Sequence, residues 1–588
     1  MAHDPYPKFK SENFYLFGGV NAKASAYLNG PHEFRDLLNM NFLNPGALTK
    51  RPGSTMYAGS TVTGKITGGV DFQRLGGASY IVMTANTNLY TVSPPATISP
   101  VVTGLLNNAM FDFVTFADRL FAANGQNFFK FDGTNNYKFS LPPGATAAWG
   151  VTQTIGGSLT AGVTGTFVFA YGYVNERNYV GPVSNAFTLT INGATFNSVT
   201  YLGMTLDQAG YGITALQLWR SSNGGVDLYG TTLAVSGATQ IIDTGFPLGS
   251  SLALPHLWFT LAPRYQEIYN NQFFMAGFSS MLSRAYWSEI GEPEAIQPTF
   301  YAEFRTNDGD RITGMKSYNG GLIVTKLNSM HRVIGDNPTN FALQEISNDY
   351  GCVSNQAMVT FENLFWCLDT KGIVQFNGSQ VAIISEKMEP TFAVMNVVAA
   401  IDQATAVHFK QSNEIWFSFP INGATLNNTI VVYDYISQAW ARYDGIVPSV
   451  LFVAQGVQTV KTVYYGGYTG ALSYVSASFM GDNGNAITCS PFTRWLAPSG
   501  QTTESMYRRF WLDVDPVIGV TQAINCLFFT NYATTIQATG LIYQNPFQTR
   551  LDFGLSARSI ATQFFHVSAS LPFKVNAYAF ESRYQRSV

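Results

Sequence analysis

Two distant stretches of this chain carry the same order of strand and turn residues. One reads Phe113-Val-Thr-Phe-Ala-Asp-Arg-Leu-Phe-Ala-Ala-Asn-Gly-Gln-Asn-Phe-Phe-Lys-Phe-Asp-Gly133. The other reads Met358-Val-Thr-Phe-Glu-Asn-Leu-Phe-Trp-Cys-Leu-Asp-Thr-Lys-Gly-Ile-Val-Gln-Phe-Asn-Gly378. Each has Val-Thr-Phe, then Leu-Phe, a Gly turn, and a Phe ahead of Asp-Gly or Asn-Gly. Weaker copies run from Tyr265 to Trp287, Ile312 to Val333, Ala406 to Tyr435 and Val450 to Val475. Asn-Gly and Asp-Gly between alternating apolar runs signal hairpins, because both residues tolerate positive φ. Repeats of roughly 40 to 50 residues built from antiparallel strands predict a β-propeller, with about six blade-like units.

Composition agrees with an all-β chain. It has 588 residues, with 45 Phe, 31 Tyr and 54 Gly. Aromatic residues suit strands and Gly suits tight turns. Residues 1–60 read as an extended N-terminal arm interrupted by Pro5, Pro7, Pro31, Pro45 and Pro52. The propeller is expected to begin at 61–142 and resume at 253–478. Between them, 143–252 breaks the rhythm: Thr166-Phe-Val-Phe-Ala-Tyr-Gly-Tyr-Val174 alternates strictly, and several short strands follow. This pattern resembles a fibronectin type III-like β-sandwich inserted in a propeller loop, where insertion costs little closure entropy. Residues 479–588 form a C-terminal β-rich domain. The one fair helix starts at Ser385 and is limited by Pro390.

Only 12% of residues are charged, against an average of about 25%. A chain so poor in charge and rich in aromatics fits one that covers its flanks with partners. Lys+Arg number 33 and Asp+Glu 36, so no basic excess supports tight nucleic-acid binding. The first eight residues lack the apolar core of a signal peptide, and no apolar run approaches a membrane span. Cys352, Cys367, Cys489 and Cys526 form no Cys-x-x-Cys pair. They read as buried free thiols, with two disulfides as the alternative.

Motifs for chemistry are few. His3, His32, His256, His331, His408 and His566 are scattered without a nucleophile or metal partner nearby, so they read as structural. Glu289, Glu292 and Glu294, with Asp308 and Asp310, are the candidates for a glycosidase carboxylate pair, and a solvated turn is the plainer account. Asn307-Asp-Gly-Asp-Arg311 and Asp482-Asn-Gly-Asn485 offer oxygens to calcium but lack the full loop ending in Glu, and hairpin turns explain both. No catalytic, cofactor or metal residue is assigned, and the chain reads as a non-enzyme. Lys50, Arg51, Pro52 and Gly53 are the candidate interface arm.

The arm segment ending in Asn-Pro-Gly-Ala-Leu-Thr-Lys-Arg-Pro-Gly53 resembles the opening of tail proteins from short-tailed bacteriophages. So do Tyr269-Asn-Asn-Gln-Phe-Phe-Met-Ala-Gly277, Ala285-Tyr-Trp-Ser-Glu-Ile-Gly-Glu-Pro-Glu294, Gln438-Ala-Trp-Ala-Arg-Tyr443 and Tyr465-Gly-Gly-Tyr-Thr-Gly-Ala-Leu-Ser-Tyr474. The resemblance spans arm, propeller and last domain. It implies a virion structural protein, a tail nozzle or hub (packaged-DNA stabilisation) subunit. Such a protein is made in the host cytoplasm and forms a homohexameric ring below portal and adaptor. It would extend the DNA channel and help retain and eject the genome. The implied partners are sister copies, the head-to-tail connector proteins, tail fibre or needle proteins, and DNA passing without sequence-specific contact. The alternative is a propeller that binds or degrades glycans.

Overall fold

The computed structural model describes residues 9–584 except 15–17, 26–27, 43–45, 76–78, 94–96, 107–108, 145–148, 160–163, 194, 205–209, 236–239, 253–255, 457–459, 520–521 and 546–548. The fold is all-β, with a propeller at its centre. Among the described residues five separate four-stranded antiparallel sheets and two four-stranded stretches of a larger sheet form seven blades. Their innermost strands, in ring order, are Ile66–Gln73, Asp112–Phe116, Tyr265–Tyr269, Ile312–Tyr318, Met358–Phe361, Thr405–Phe409 and Pro448–Ala454, each packed beside the next. The sequence units marked six of these. The seventh, blade 1 at Ile66–Val102, turns at Asn86 with φ of 50° and has no Asn-Gly pair there.

Apolar side chains fill the wedges between blades. Phe72, Leu89, Phe111 and Leu120 join blades 1 and 2. Phe121, Phe273 and Met275 join blades 2 and 3, and Phe274, Trp287, Leu322 and Val324 join blades 3 and 4. Burying an aromatic or large aliphatic side chain contributes about 1.5–3 kcal/mol, so these wedges hold the ring without covalent links.

Ring closure comes from the N-terminal region. Blade 7 has three strands from Pro448–Ala454 to Ala471–Ser476, and its outermost strand is Gly53–Thr61. Val475 pairs with Ser54 and Tyr474 with Thr55. The chain then enters blade 1, so blade 7 is the one blade that joins an early strand to late ones, and it closes the ring.

Residues ahead of this strand are not a projecting arm. Lys10–Phe14 and Leu48–Lys50 pair with Lys574–Tyr584, and Phe34–Leu38 pairs with Asn485–Thr493. Leu38 also lies alongside Arg442 on the outer strand of blade 6. The expected extended arm is therefore woven into its own C-terminal domain, because unpaired strand edges there supply backbone partners. Residues 1–8, with Pro5 and Pro7, lie outside the described residues, as does Pro45.

The insert between blades 2 and 3 is the fibronectin type III-like β-sandwich. One sheet orders Gly150–Thr154, Ser198–Leu202 and Gln240–Asp243. The other is centred on Gly165–Asn175, which pairs with Val180–Val183 and Phe187–Ile191 on one edge and Ile213–Ser221 on the other. The alternation at 166–174 puts Phe167, Phe169, Tyr171 and Tyr173 in its core. Phe259 N donates to Ser140 Oγ at 3.0 Å, so the ends of the insert stand side by side. The C-terminal domain stacks two further sheets around Tyr507, Phe510, Phe528, Ile542, Phe564 and Phe580.

Helix is scarce. A 3-10 turn at Glu386–Met388 leads into Glu389–Ala393. Pro390 sits in that first turn and does not end the helix, since its missing N–H has no partner to lose there.

Candidate functional site

Lys50, Arg51, Pro52 and Gly53 form an internal keystone. Lys50 is 7% exposed, and its Nζ donates to Ser568 O at 2.6 Å and Leu571 O at 3.2 Å. Arg51 is 1% exposed. Its Nη1 donates to Asp482 Oδ1 at 3.1 Å and Pro52 O at 3.0 Å, its Nε to Asn39 Oδ1 at 2.9 Å, and its Nη2 to Asp444 O at 2.8 Å. Gly53 N donates to Phe479 O at 2.8 Å, and a Cβ at Gly53 would collide with the Gly481 carbonyl. These four residues were expected to face a neighbouring subunit. They correct that reading: a buried guanidinium needs its full set of acceptors, and this chain provides them.

Beside the keystone, Arg51 stacks 5.7 Å from the Tyr443 ring centroid. Tyr443 Oη and Trp416 Nε1 each donate to Glu414 at 2.7 Å. Burial pushes the Glu414 carboxyl up to about 7 against these two donors.

The glycosidase candidates are held apart by separate partners. Glu289 Oε1 accepts from His256 Nε2 at 3.2 Å and from Gln297 Nε2 at 2.6 Å. Glu292 pairs with Arg177 at 3.5 Å. Glu294 is fully buried, 2.7 Å from the equally buried Lys130. Burial raises the Glu294 carboxyl and Lys130 opposes that rise. Asn175 Nδ2, from the insert, also donates to Glu294 Oε1 at 2.8 Å, so this acid anchors the sandwich to the propeller. Asp308 accepts from buried Lys326 at 2.7 and 2.8 Å; desolvation raises its carboxyl, and Lys326 together with backbone amides brings it below the usual range. Asp310 accepts from the Leu327 and Asn328 amides. Asp482, from the second calcium candidate, is bound to Arg51. Among the described residues no group of three or more His, Cys, Asp or Glu is placed to hold a metal.

The four cysteines are buried and free. Cys352 Sγ donates to Ser354 O and Cys367 Sγ to Gly351 O. His3 lies outside the described residues. His566 lies flat on Phe573, ring centroids 4.5 Å apart at 6°.

Sequence reading missed a polar cavity in the ring. About 420 Å³ at the centre is bounded by the innermost strands of the seven blades. Asp112, Gln266, Glu267, Lys316 and Gln356 are among its polar lining residues, with Thr115 and Asn355. Asp112 Oδ2 accepts from the Gln266 amide at 2.6 Å. Desolvation, with a smaller push from Glu267, moves the Asp112 carboxyl up to about 7. Lys316 Nζ stands 3.3 Å from Glu267 Oε2 and keeps 40% exposure, so solvent reaches this level. Asp112 sits one residue ahead of the first repeated unit, and alignment of the repeats would single it out as an acid at the mouth of an inner strand.

No family model matches the chain, and no curated protein matches it. Solved structures that resemble it include the Pan2 WD40 domain of Neurospora crassa, at 8% identity and TM-score 0.26, covering 63% of this chain and 89% of that one. The N-terminal domain of Nup159 follows at 7% identity and TM-score 0.24, covering 73% and 95%. The exo-beta-1,3-galactanase of Phanerochaete chrysosporium gives 8% identity and TM-score 0.19, covering 90% and 100%.

Proposed function

We propose that this chain is a structural subunit of the tail nozzle or hub of a short-tailed bacteriophage. Copies of it would form a ring, hexameric by the resemblance, that extends the DNA channel below portal and adaptor. The observation that carries the reading is an uncharged, open sheet edge. In the C-terminal domain, Ile560–Ser568, Ala523–Thr530 and Ile536–Tyr543 lie side by side and contain no Asp, Glu, Lys or Arg. Ile536–Tyr543 is the last strand of that sheet, with Ile536 51% and Leu541 45% exposed. Leu541, Asn525 and Phe565 form one row across its outer face. Solitary proteins protect such edges with charge or Pro, whereas an edge covered by a partner needs neither.

Two further points support the reading. Lys50-Arg51-Pro52-Gly53, which ends one of the segments that carry the resemblance, is where the chain passes into the ring-closing strand. A cavity of about 420 Å³ suits a small molecule and is far too small for a duplex. In the proposed ring the propeller is thus a wall element, and DNA runs between subunits.

Mass photometry of the purified chain, alone and with the adaptor and portal proteins of the same genome, tests this. Closed rings or stoichiometric ring–adaptor complexes are the expected result. A stable monomer that ignores both proteins and degrades polysaccharide overturns it in favour of the glycan-cleaving alternative.

A further inference from the structure

Two guanidiniums share one carboxylate beside a second cavity, at the end of the ring where the inner strands begin. Arg264 directly precedes the inner strand of blade 3, and Arg311 that of blade 4. Arg264 Nη1 lies 2.9 Å and Arg311 Nη2 2.6 Å from the same atom, Asp402 Oδ2. Tyr265 Oη donates to Asp402 Oδ1 at 3.0 Å, so both oxygens of this carboxylate are engaged. Two fixed cations against one anion leave one net positive charge. Among the described residues, Nε and Nη2 of Arg264 and Nε and Nη1 of Arg311 donate to no acceptor. Neither side chain is sealed in. Arg264 is 28% and Arg311 38% exposed, and both line an open cavity of about 350 Å³. The turn at 124–126 and the 50% exposed Leu282 form other parts of its wall. Asp310, the acid beside Arg311 in the chain, turns its oxygens to the Arg311, Leu327 and Asn328 amides and does not line this cavity.

We propose that this cavity binds a small organic carboxylate through the free edges of Arg264 and Arg311. A guanidinium edge presents parallel N–H donors that match the two oxygens of a carboxylate. A monoanion restores neutrality, whereas a phosphate dianion would leave excess negative charge beside Asp402. Leu282 offers an apolar surface to a short hydrocarbon body. The site does not rest on the tail reading, since every group in it belongs to one chain.

Isothermal titration calorimetry of the full chain with sodium butanoate decides it, with inorganic phosphate and n-butylammonium as comparison ions. Butanoate binding is expected, with weaker heat from phosphate and none from the cation. Arg311→Met weakens butanoate about tenfold or more, through loss of a charge-assisted contact. Arg311→Lys keeps the charge without the fork and recovers part of that loss. Asp402→Asn, which removes the internal competitor for both guanidiniums, tightens butanoate severalfold. The opposed directions keep the test sound even if one variant folds poorly. No butanoate heat up to millimolar concentration, phosphate bound in preference to butanoate, or equal affinity in the parent, Arg311→Met and Asp402→Asn overturns the proposal.

Discussion

Arg51 and Asp482 meet across the seam of the ring, Nη1 to Oδ1 at 3.1 Å, although nearly the whole propeller separates them in sequence. Arg51 precedes the closing strand and Asp482 follows the blade that this strand completes. Ser54 Oγ adds a bond to Asp482 Oδ1 at 2.9 Å. The pair therefore links ring closure to docking of the C-terminal domain.

Arg51→Met is expected to destabilise the protein by about 3–5 kcal/mol, because it leaves the Asp482 charge without its cation and the Asp444 carbonyl without the Arg51 donor. Urea unfolding read by tryptophan fluorescence measures this. The double variant with Asp482→Leu should recover part of the loss, since it removes the stranded charge. A loss below about 0.5 kcal/mol for Arg51→Met would mean the keystone carries no stability.

How far the sequence revealed this arrangement differs by element. The blades are legible because their repeated turns carry side chains that act locally. Asp132 Oδ1 accepts from the Thr134 and Asn135 amides, and Asn377 Oδ1 from Ser379 and Gln380. Those Asp-Gly and Asn-Gly pairs work as side-chain-capped turns. The tight two-residue hairpins with both φ positive lie instead at Ala117-Asp118, Asn270-Asn271 and Glu362-Asn363, as well as at Asn319-Gly320. The keystone was illegible because its partners, Asp444, Asp482 and Ser568, come from the far end of the chain, and nothing local in Lys50-Arg51 distinguishes burial from display. The central cavity was illegible for the same reason: its polar groups come one or two per blade.

At the junction of insert and propeller, Lys130 is bound by Glu294 and lies 3.2 Å from Glu176. Lys130→Met leaves Glu294 charged and buried, and should lower stability by about 3–5 kcal/mol. Deleting residues 146–250 should be milder, because Lys130 keeps Glu294 and the insert ends already adjoin at Ser140 and Phe259. Thermal melts of the two proteins rank them. A deletion that melts lower than Lys130→Met would show that the sandwich is integral to the ring.

The half-buried Asp112 and the buried His566 give opposite pH slopes. Asp112 has its carboxyl raised to about 7, so its contribution to stability is intact in acid and lost as pH rises through that value. Glu267, Lys316, Arg264 and Asp402 are the charged groups around it. Asp112→Asn should gain about 1–3 kcal/mol relative to the parent at pH 8.5 and little at pH 4. His566 runs the other way. Burial, with help from Lys50, lowers its ring to about 4, so stability is present above the ordinary histidine range and lost as pH falls through about 4. His566→Phe should resist acid better than the parent, as read by denaturant midpoints from pH 3.5 to 7. A parallel shift of both variants at all pH values would contradict these assignments.

The uncharged edge gives the sharpest test of assembly. Leu541 is 45% exposed in Ile536–Tyr543 and pairs with Asn525, which pairs in turn with Phe565. Lysine there remains in water in a lone chain, so Leu541→Lys should change stability by less than about 0.5 kcal/mol. Beneath a neighbouring copy the same ammonium would be buried without a partner, at a cost of several kcal/mol per subunit interface. Mass photometry should then show monomers where the parent forms rings, with an unchanged melting curve. Rings that persist with Leu541→Lys would move the contact to another face of the molecule.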